Sequence, residues 1–346
     1  MSARGGVSVA LATFNGASHL PEQLHSLAAQ TRLPRELIAC DDGSSDETVQ
    51  ILEQFAREAS FPVQIVRNER RLGYADNFLA AAALCTGDLV AFCDQDDVWL
   101  TTKLEACEAE LTRTSAAIVA HSAALADERL RPTGRLVPHA RRRRLLAPEQ
   151  CDPWWYWWGF AMVFERRLLD VADPTKRVES QFLHLPPGSP LDHDDWIAFL
   201  GCALGPIAFL PEALVLYRRH PTTASRTPSQ MSRIQASRGQ DGEWHRAHYA
   251  NLARLAHERT HFWRRTALER TGREQHLALR AADRFDRFAV AYERRQTLFA
   301  TGRRAIRARG IAAMLFSGAY RRRANGGLGV GALAKDAYFA MRPARG

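Results

Sequence analysis

Carboxylates crowd at one point of this sequence. In AFCDQDDVWL (91–100) an apolar run ends in Asp94, Asp96 and Asp97, then resumes at once with Val98 and Trp99. Two or more carboxylates at a strand end are costly unless a cation neutralises them. Hard divalent ions such as Mg²⁺ or Mn²⁺ take such oxygen ligands, and an ion held this way usually also binds substrate phosphates. The competing reading is a solvated acidic turn. Two more polar clusters follow apolar runs in the same manner: Thr13-Phe14-Asn15-Gly16 after VSVALA, and Asp41-Asp42-Gly43-Ser44 after ELIAC. Taken alone, each also reads as turn and helix-cap chemistry.

The elements that must position these clusters alternate in type. VSVALA (7–12), ELIAC (36–40), VQIVRN (63–68) and LVAFC (89–93) read as strands. Between them lie helical patterns: HLPEQLHSLAAQ, a stretch with Thr48, Leu52 and Phe55 at helical spacing that Ser44 or Ser45 would cap, and NFLAAAALC, closed by Gly87. Strands alternating with helices predict an α/β fold built of βαβ units on a mostly parallel sheet. In such sheets ligands sit beyond the carboxyl ends of the strands. All three polar clusters fall there, and that coincidence outweighs any single motif.

Composition bounds the rest. With 346 residues, 46% of them apolar, the chain can bury a large core and has room for two domains. Charge is uneven: residues 231–346 carry 24 Arg and Lys against 9 Asp and Glu, whereas residues 1–230 carry 23 against 29. An acidic front and a basic back predict two jobs, the second meeting something anionic. The N-terminus lacks an apolar signal core and no 18-residue uncharged apolar run occurs, so a soluble or membrane-surface protein in the cytoplasm is expected. Six scattered cysteines without a CxxC pair read as buried reduced thiols.

At this level of detail the chain resembles the family 2 glycosyltransferases. The resemblance rests on VALATFNG, Gln30-Thr31, ACDDGSSDET, NERRLGYADNF and FCDQDDVW, from about Val7 to Leu104. It resumes at WWGFAMVFERRLL (157–169), LDHDDWIAFL (191–200) and FLPEALVLYRRH (209–220). Within the family it is most similar to the bacterial branch containing rhamnosyltransferases of surface polysaccharide synthesis. The resemblance implies a GT-A fold, a nucleotide-binding sheet flanked by helices. It also implies a dTDP-rhamnose or UDP-sugar donor and a glycan or lipid-linked saccharide acceptor. Carried over by residue, Thr13 and Asn15 border the nucleotide. Asp42 accepts from the N3–H of uracil or thymine, and Asp41 holds that loop. Asn68, Gly73 and Asn77 lie over the donor, and Asp94 stands near the ribose or sugar. Asp96 contacts the metal, with Asp97 a second ligand and His220 a further metal or diphosphate contact.

An inverting transfer also needs a base for the acceptor hydroxyl. The family pattern is His-Asp followed by aromatics; aligned on His193, Asp194 is the base. The sequence departs from that pattern in having Asp195 next, so Asp195 stands as the alternative and one of the two is expected to cap a helix. HLPPGSP (184–190) is either a loop closing over the donor or a plain connector. PWWYWW (153–158) is a core element or the wall of an acceptor cleft, and RRRR (141–144) a solvated loop or anion contact.

The expected organisation is a GT-A catalytic domain over 1–228, with a nucleotide-sugar half (1–115) and an acceptor and base half (116–228), then an Arg-rich helical region over 229–346. That last region reads as helices with few breaks before Gly310, amphipathic enough either to lie on an anionic membrane or to pack with a solvated basic face. Nucleic acid is not expected as a partner, since no recognition motif is present and the acidic front would repel a phosphate backbone. A nucleotide-sugar binding scaffold without turnover is the alternative reading, and a nucleotidyltransferase lacks its usual Gly-rich phosphate loop.

Overall fold

The computed structural model describes residues 5–137, 142–154, 158–182, 185–220, 242–300, 303–322 and 326–341. The four apolar runs are strands: β1 (Val7–Thr13), β2 (Glu36–Asp41), β3 (Val63–Arg67) and β4 (Leu89–Cys93). β1 and β4 are buried along their whole length, which is why they read as unbroken apolar runs rather than alternating ones. Helices α1 (Leu20–Ala28), α2 (Thr48–Glu58) and α3 (Tyr74–Ala83) connect them. The chain continues through β5 (Val98–Trp99), α4 (Lys103–Thr114), β6 (Ile118–Ala126), β7 (Pro132–Val137), β8 (Arg144–Leu146), β9 (Met162–Glu165), α5 (His193–Leu204) and β10 (Ile207–Arg218).

The described strands form one ten-stranded sheet in the order β3-β2-β1-β4-β9-β6-β10-β5, with β7 on β6 and β8 on β10. The β3-β2-β1-β4 half is parallel; β9 then runs antiparallel between β4 and β6, while β6 and β10 are parallel again. Register brings Leu11 beside Cys93 and Thr13 beside Asp41, so the loops after β1, β2 and β4 leave the sheet together. β5 pairs antiparallel with β10, Trp99 opposite Val215, and this folds residues 94–97 back against the end of β10.

Local details differ from the sequence expectation. Neither Ser44 nor Ser45 caps α2. The Asp46 carboxylate takes the Thr48 amide and hydroxyl, while the two serines turn to Asp41 and Asn15. An acceptor two residues before the helix reaches the first free amide, and the serines already serve the neighbouring loop. α3 ends at Ala83, before Gly87. All six cysteines are free and buried. Arg143 of the RRRR run bonds Glu110 at 3.0 Å and Glu212 at 3.2 Å, and Arg141 lies outside the described residues.

The chain divides into two compact units. One comprises Met1–Pro148, Trp155–Arg177 and Leu191–Thr223; the other comprises Glu149–Trp154, Val178–Pro190 and Ala224–Gly346. The expected boundary at 228–229 lies outside the described residues, as do residues 155–157 of PWWYWW and His184 of HLPPGSP. The second unit is helical: α6 (Gly242–Leu268), α7 (Gly272–Ala300), α8 (Arg304–Phe316) and α9 (Val330–Met341). α6 and α7 bury Tyr249, Phe262, Trp263, Phe285, Phe288 and Tyr292. Trp154 joins this core edge-on to Phe285, Phe288 and Tyr292 at 5.6–5.9 Å, with the Arg259 guanidinium 4.1 Å over its ring. Residues 178–190 belong to the same unit: Arg254 bonds Glu179 at 2.7 Å and Arg259 bonds Gln181 at 2.7 Å. Gly310, expected as a break, sits inside α8, where its bare α-carbon admits Leu298 of α7. Among the described residues no helix is long and apolar enough to cross a membrane.

Candidate active site

Two linked networks occupy the carboxyl ends of the strands. In the first, Asp41 at the end of β2 accepts the Gly43 and Ser44 amides and the Thr13 hydroxyl, fixing the turn that follows it. Asn15, in the left-handed region at φ 48°, donates its amide to Ser44 and accepts that of Ser45. Asp42 reaches across to the 68–73 loop: its Oδ1 accepts Asn68 Nδ2 at 2.9 Å and the Leu72 amide at 2.7 Å, its Oδ2 the Gly73 amide at 2.8 Å. Burial would raise the Asp42 carboxyl. The Leu72 amide, Asn68, the Gly73 amide and the Arg71 guanidinium outweigh it and hold the group below its ordinary value. Asn77 completes the network, accepting from Asn68 at 2.8 Å and donating to the Cys40 carbonyl at 2.9 Å.

The second network centres on Asp94, Asp96 and Asp97. Gln95 ties it to the first: its Oε1 accepts the Phe14 amide at 2.9 Å and its Nε2 donates to the Phe14 carbonyl at 3.1 Å. Gly16 is required beside it, because a β-carbon there would overlap the Gln95 amide. Asp96 Oδ2 meets His220 Nε2 at 2.8 Å. Asp97 is fully buried, and its Oδ1 accepts the Arg218 amide at 3.0 Å. Arg218, itself 2% exposed, bonds the Asp96 and Glu128 carbonyls at 2.7 Å each and the Glu22 carboxylate. Below the cluster Lys103 is buried, donating to the Phe160 carbonyl at 2.7 Å with its ammonium 3.4 Å over Trp99. Burial lowers Lys103 to about 8 against the nearby thiols and carboxylates. Burial and mutual repulsion push Asp94 and Asp97 well above the ordinary carboxylate range.

The LDHDDW segment opens α5. The N-cap is Asp192, so neither Asp194 nor Asp195 caps this helix; both lie in its first turn. Asp194 is half-buried and accepts the Asp195 amide at 2.8 Å and the Gly159 amide at 3.1 Å. Burial nevertheless raises it to about 6. It stands near enough to Asp94 to raise that group in turn. Asp195 is buried at 8% exposure. His193 stacks on Phe78 at 4.1 Å and meets Phe92 edge-on at 4.8 Å; burial lowers it to about 3, so it is a neutral packing group.

The structure thus gathers Asp94, Asp96, His220 and Asp194 at one place, and Thr13, Asn15, Asp41, Asp42, Asn68, Gly73 and Asn77 beside them. It turns Asp97 and Asp195 inward. Sequence reasoning passed over Gln95, Lys103, Arg218 and Gly159. Only Lys103 carried a separate signal, a cation four and eight residues before Cys107 and Leu111 on the buried face of α4. As to a metal, no three His, Cys, Asp or Glu groups among the described residues stand ready to hold one. The donors present, two repelling carboxylates and an imidazole, fit a hard divalent ion whose remaining positions a ligand fills.

A mixed sheet of this order, with its polar loops and carboxylates at the strand ends, defines a GT-A-type fold. Solved structures share it: S. aureus TarS 1–349 with UDP-GlcNAc bound superposes with a TM-score of 0.52 at 18% identity over 83% of this chain and 72% of that one. S. aureus TarS 1–349 alone gives 0.52 at 16% identity over 92% and 93%. Residues 8–170 match the model described as "Glycosyl transferase family 2". An uncharacterized glycosyltransferase of Nostoc sp. is 26% identical over 244 residues, 66% of this chain and 71% of its own. The Escherichia coli UDP-Glc:alpha-D-GlcNAc-diphosphoundecaprenol beta-1,3-glucosyltransferase WfgD is 31% identical over 99 residues, 29% of this chain and 38% of its own.

Proposed function

We propose that this protein is an inverting glycosyltransferase of polysaccharide synthesis, moving a sugar from a nucleotide-diphosphate donor to a hydroxyl of a glycan or lipid-linked acceptor. The observation that carries the reading is Asp194: a half-buried carboxylate raised to about 6, aimed by two amides and adjacent to Asp94. Such a group is ionised at neutral pH and basic enough to take a proton. In the proposed step Asp194 Oδ accepts the acceptor hydroxyl proton as that oxygen bonds the anomeric carbon. The bond from that carbon to the diphosphate breaks, and its electron pair leaves with the nucleoside diphosphate. Asp96 and His220, with Asp94 beside them, would hold Mg²⁺ or Mn²⁺, which when bound offsets the diphosphate charge. Asp97 and Arg218 keep the Asp96 loop in place.

The first network fits the nucleotide. Among the described residues Asp42 Oδ2 accepts the Gly73 amide with Arg71 Nε 4.0 Å away, and its further lone pair is the acceptor that the N3–H of a uracil or thymine would fill. Base and ordered loop are thereby coupled, since Asp42 also clamps residues 68–73 over the donor. Rhamnose as the sugar follows from the motif resemblance, and the UDP-GlcNAc bound by TarS keeps UDP-sugars as the other donor class.

The test is release of nucleoside diphosphate from a panel of dTDP-, UDP- and GDP-sugars, with acceptor extract, in Mn²⁺ or EDTA. Metal-dependent release from one donor, reduced about 10²–10⁴-fold in Asp194→Asn, is expected. Nucleotide binding with no release from any donor would replace the transferase by a nucleotide-sugar binding scaffold.

A further inference from the structure

α6 and α7 bury their aromatic residues in their own core, so the broad membrane face expected for the whole basic region is not available from them. α8 differs. Arg307, Gly310, Ile311 and Met314 form an inward stripe at helical spacing, partly or fully buried, and the remainder of the helix is exposed. Its outward line is Ala305, Arg309, Ala312 and Phe316, flanked by Arg304 and Leu315. Phe316 is 94% exposed, Leu315 48% and Ile306 47%. Next to this face a groove of about 350 Å³ runs between α7 and α8, lined among others by Leu298, Ile306, Ala313 and Met314.

Charge says what covers the face. Between Glu293 and Asp336 lie 42 residues with nine Arg, one Lys and no acidic residue. The two flanking acids are engaged, Glu293 with His257 at 2.7 Å and Asp336 with Arg295 at 2.6 Å. We infer that the α8 face seats on an anionic lipid bilayer, with Arg304 and Arg309 on the headgroups and Phe316 and Leu315 in the headgroup–acyl boundary. A cation-rich face with exposed apolar residues at one end matches that environment. A second copy would bring like charges together, and a nucleic acid backbone would leave Phe316 and Leu315 without apolar partners. The inference is independent of the transferase reading and requires no spanning helix, none of the described helices being long and apolar enough to be one.

The test is flotation of the full chain with vesicles of phosphatidylcholine alone and of equal parts phosphatidylcholine and phosphatidylglycerol, at low and high salt. Salt-sensitive binding to the mixed vesicles only is expected. Arg304→Glu with Arg309→Glu should weaken it by about 20-fold or more, at roughly fivefold per cation removed. Phe316→Ser should weaken it severalfold. Both variants should keep the wild-type melting temperature, because the positions are exposed. Equal partition to neutral and mixed vesicles, no partition, or binding indifferent to both variants would overturn the inference. So would tighter binding to duplex RNA than to the mixed vesicles, or a dimer that Phe316→Ser dissolves.

Discussion

At the residue scale the site is organised by where charge is tolerated. Burial raises Asp194 to about 6, and in the proposed role it would act only when ionised, so kcat/KM should fall as pH drops through about 6 and hold above it. A pH profile of the transfer with saturating metal checks this; a flat profile down to pH 5 would remove Asp194 from the role. Asp94 bears on stability. Its folded value is raised, so the folded state binds its proton more tightly than the unfolded chain does. The destabilisation is absent below the ordinary carboxylate range and grows as pH rises toward the raised value. Asp94→Asn should therefore melt a few degrees higher than wild type at pH 8, with the gap closing near pH 4, and should lose transfer. Calorimetry without metal at both pH values decides it; a lower melting temperature at pH 8 would mean the charge is already compensated.

At the element scale the placement of Asp194 depends on a glycine. Gly159 passes so close to α5 that a β-carbon would lie 2.7 Å from His193 Nε2 and 3.5 Å from Asp194 Cβ. Gly159→Ala should displace the first turn of α5 and cost about 10–100-fold in kcat while destabilising by ~1–3 kcal/mol. Kinetics and melting on the same sample separate the two effects, and unchanged kcat would show that the turn yields without moving Asp194. Elements of this kind were legible in part. β1 and β4 were plain because burial on both faces leaves unbroken apolar runs, and the helices because their periodicity survives. The Asp94-Asp96-His220-Asp194 gathering was legible because its members end strands or open a helix. Gln95, Lys103 and Arg218 were not, since each acts through a contact 57 to 122 positions distant: Phe14, Phe160 and Asp96. Asp46 as the α2 cap and Gly310 inside α8 were missed for a local reason: serine and glycine carry strong average preferences that neighbours override.

At the scale of the whole molecule two units share the chain by interleaving rather than succession. Trp154 belongs to the helical core although it lies about a hundred residues ahead of α6 and α7. Trp154→Ala should cost about 3–5 kcal/mol by leaving a cavity among Phe285, Phe288 and Tyr292. Thermal unfolding followed by tryptophan fluorescence reports it; a shift under one degree would show that the ring is dispensable to that core.

The same interleaving has a consequence in time. Residues 149–154 and 178–190 leave the ribosome well before α6 and α7, which supply their partners. At about 5–20 residues per second, that interval lasts several seconds or more. Throughout it, the segment leading into the Asp194 helix has no finished surface to settle on. The nascent chain therefore completes β1 to β4 well before the stretch that leads into α5 acquires its helical partners.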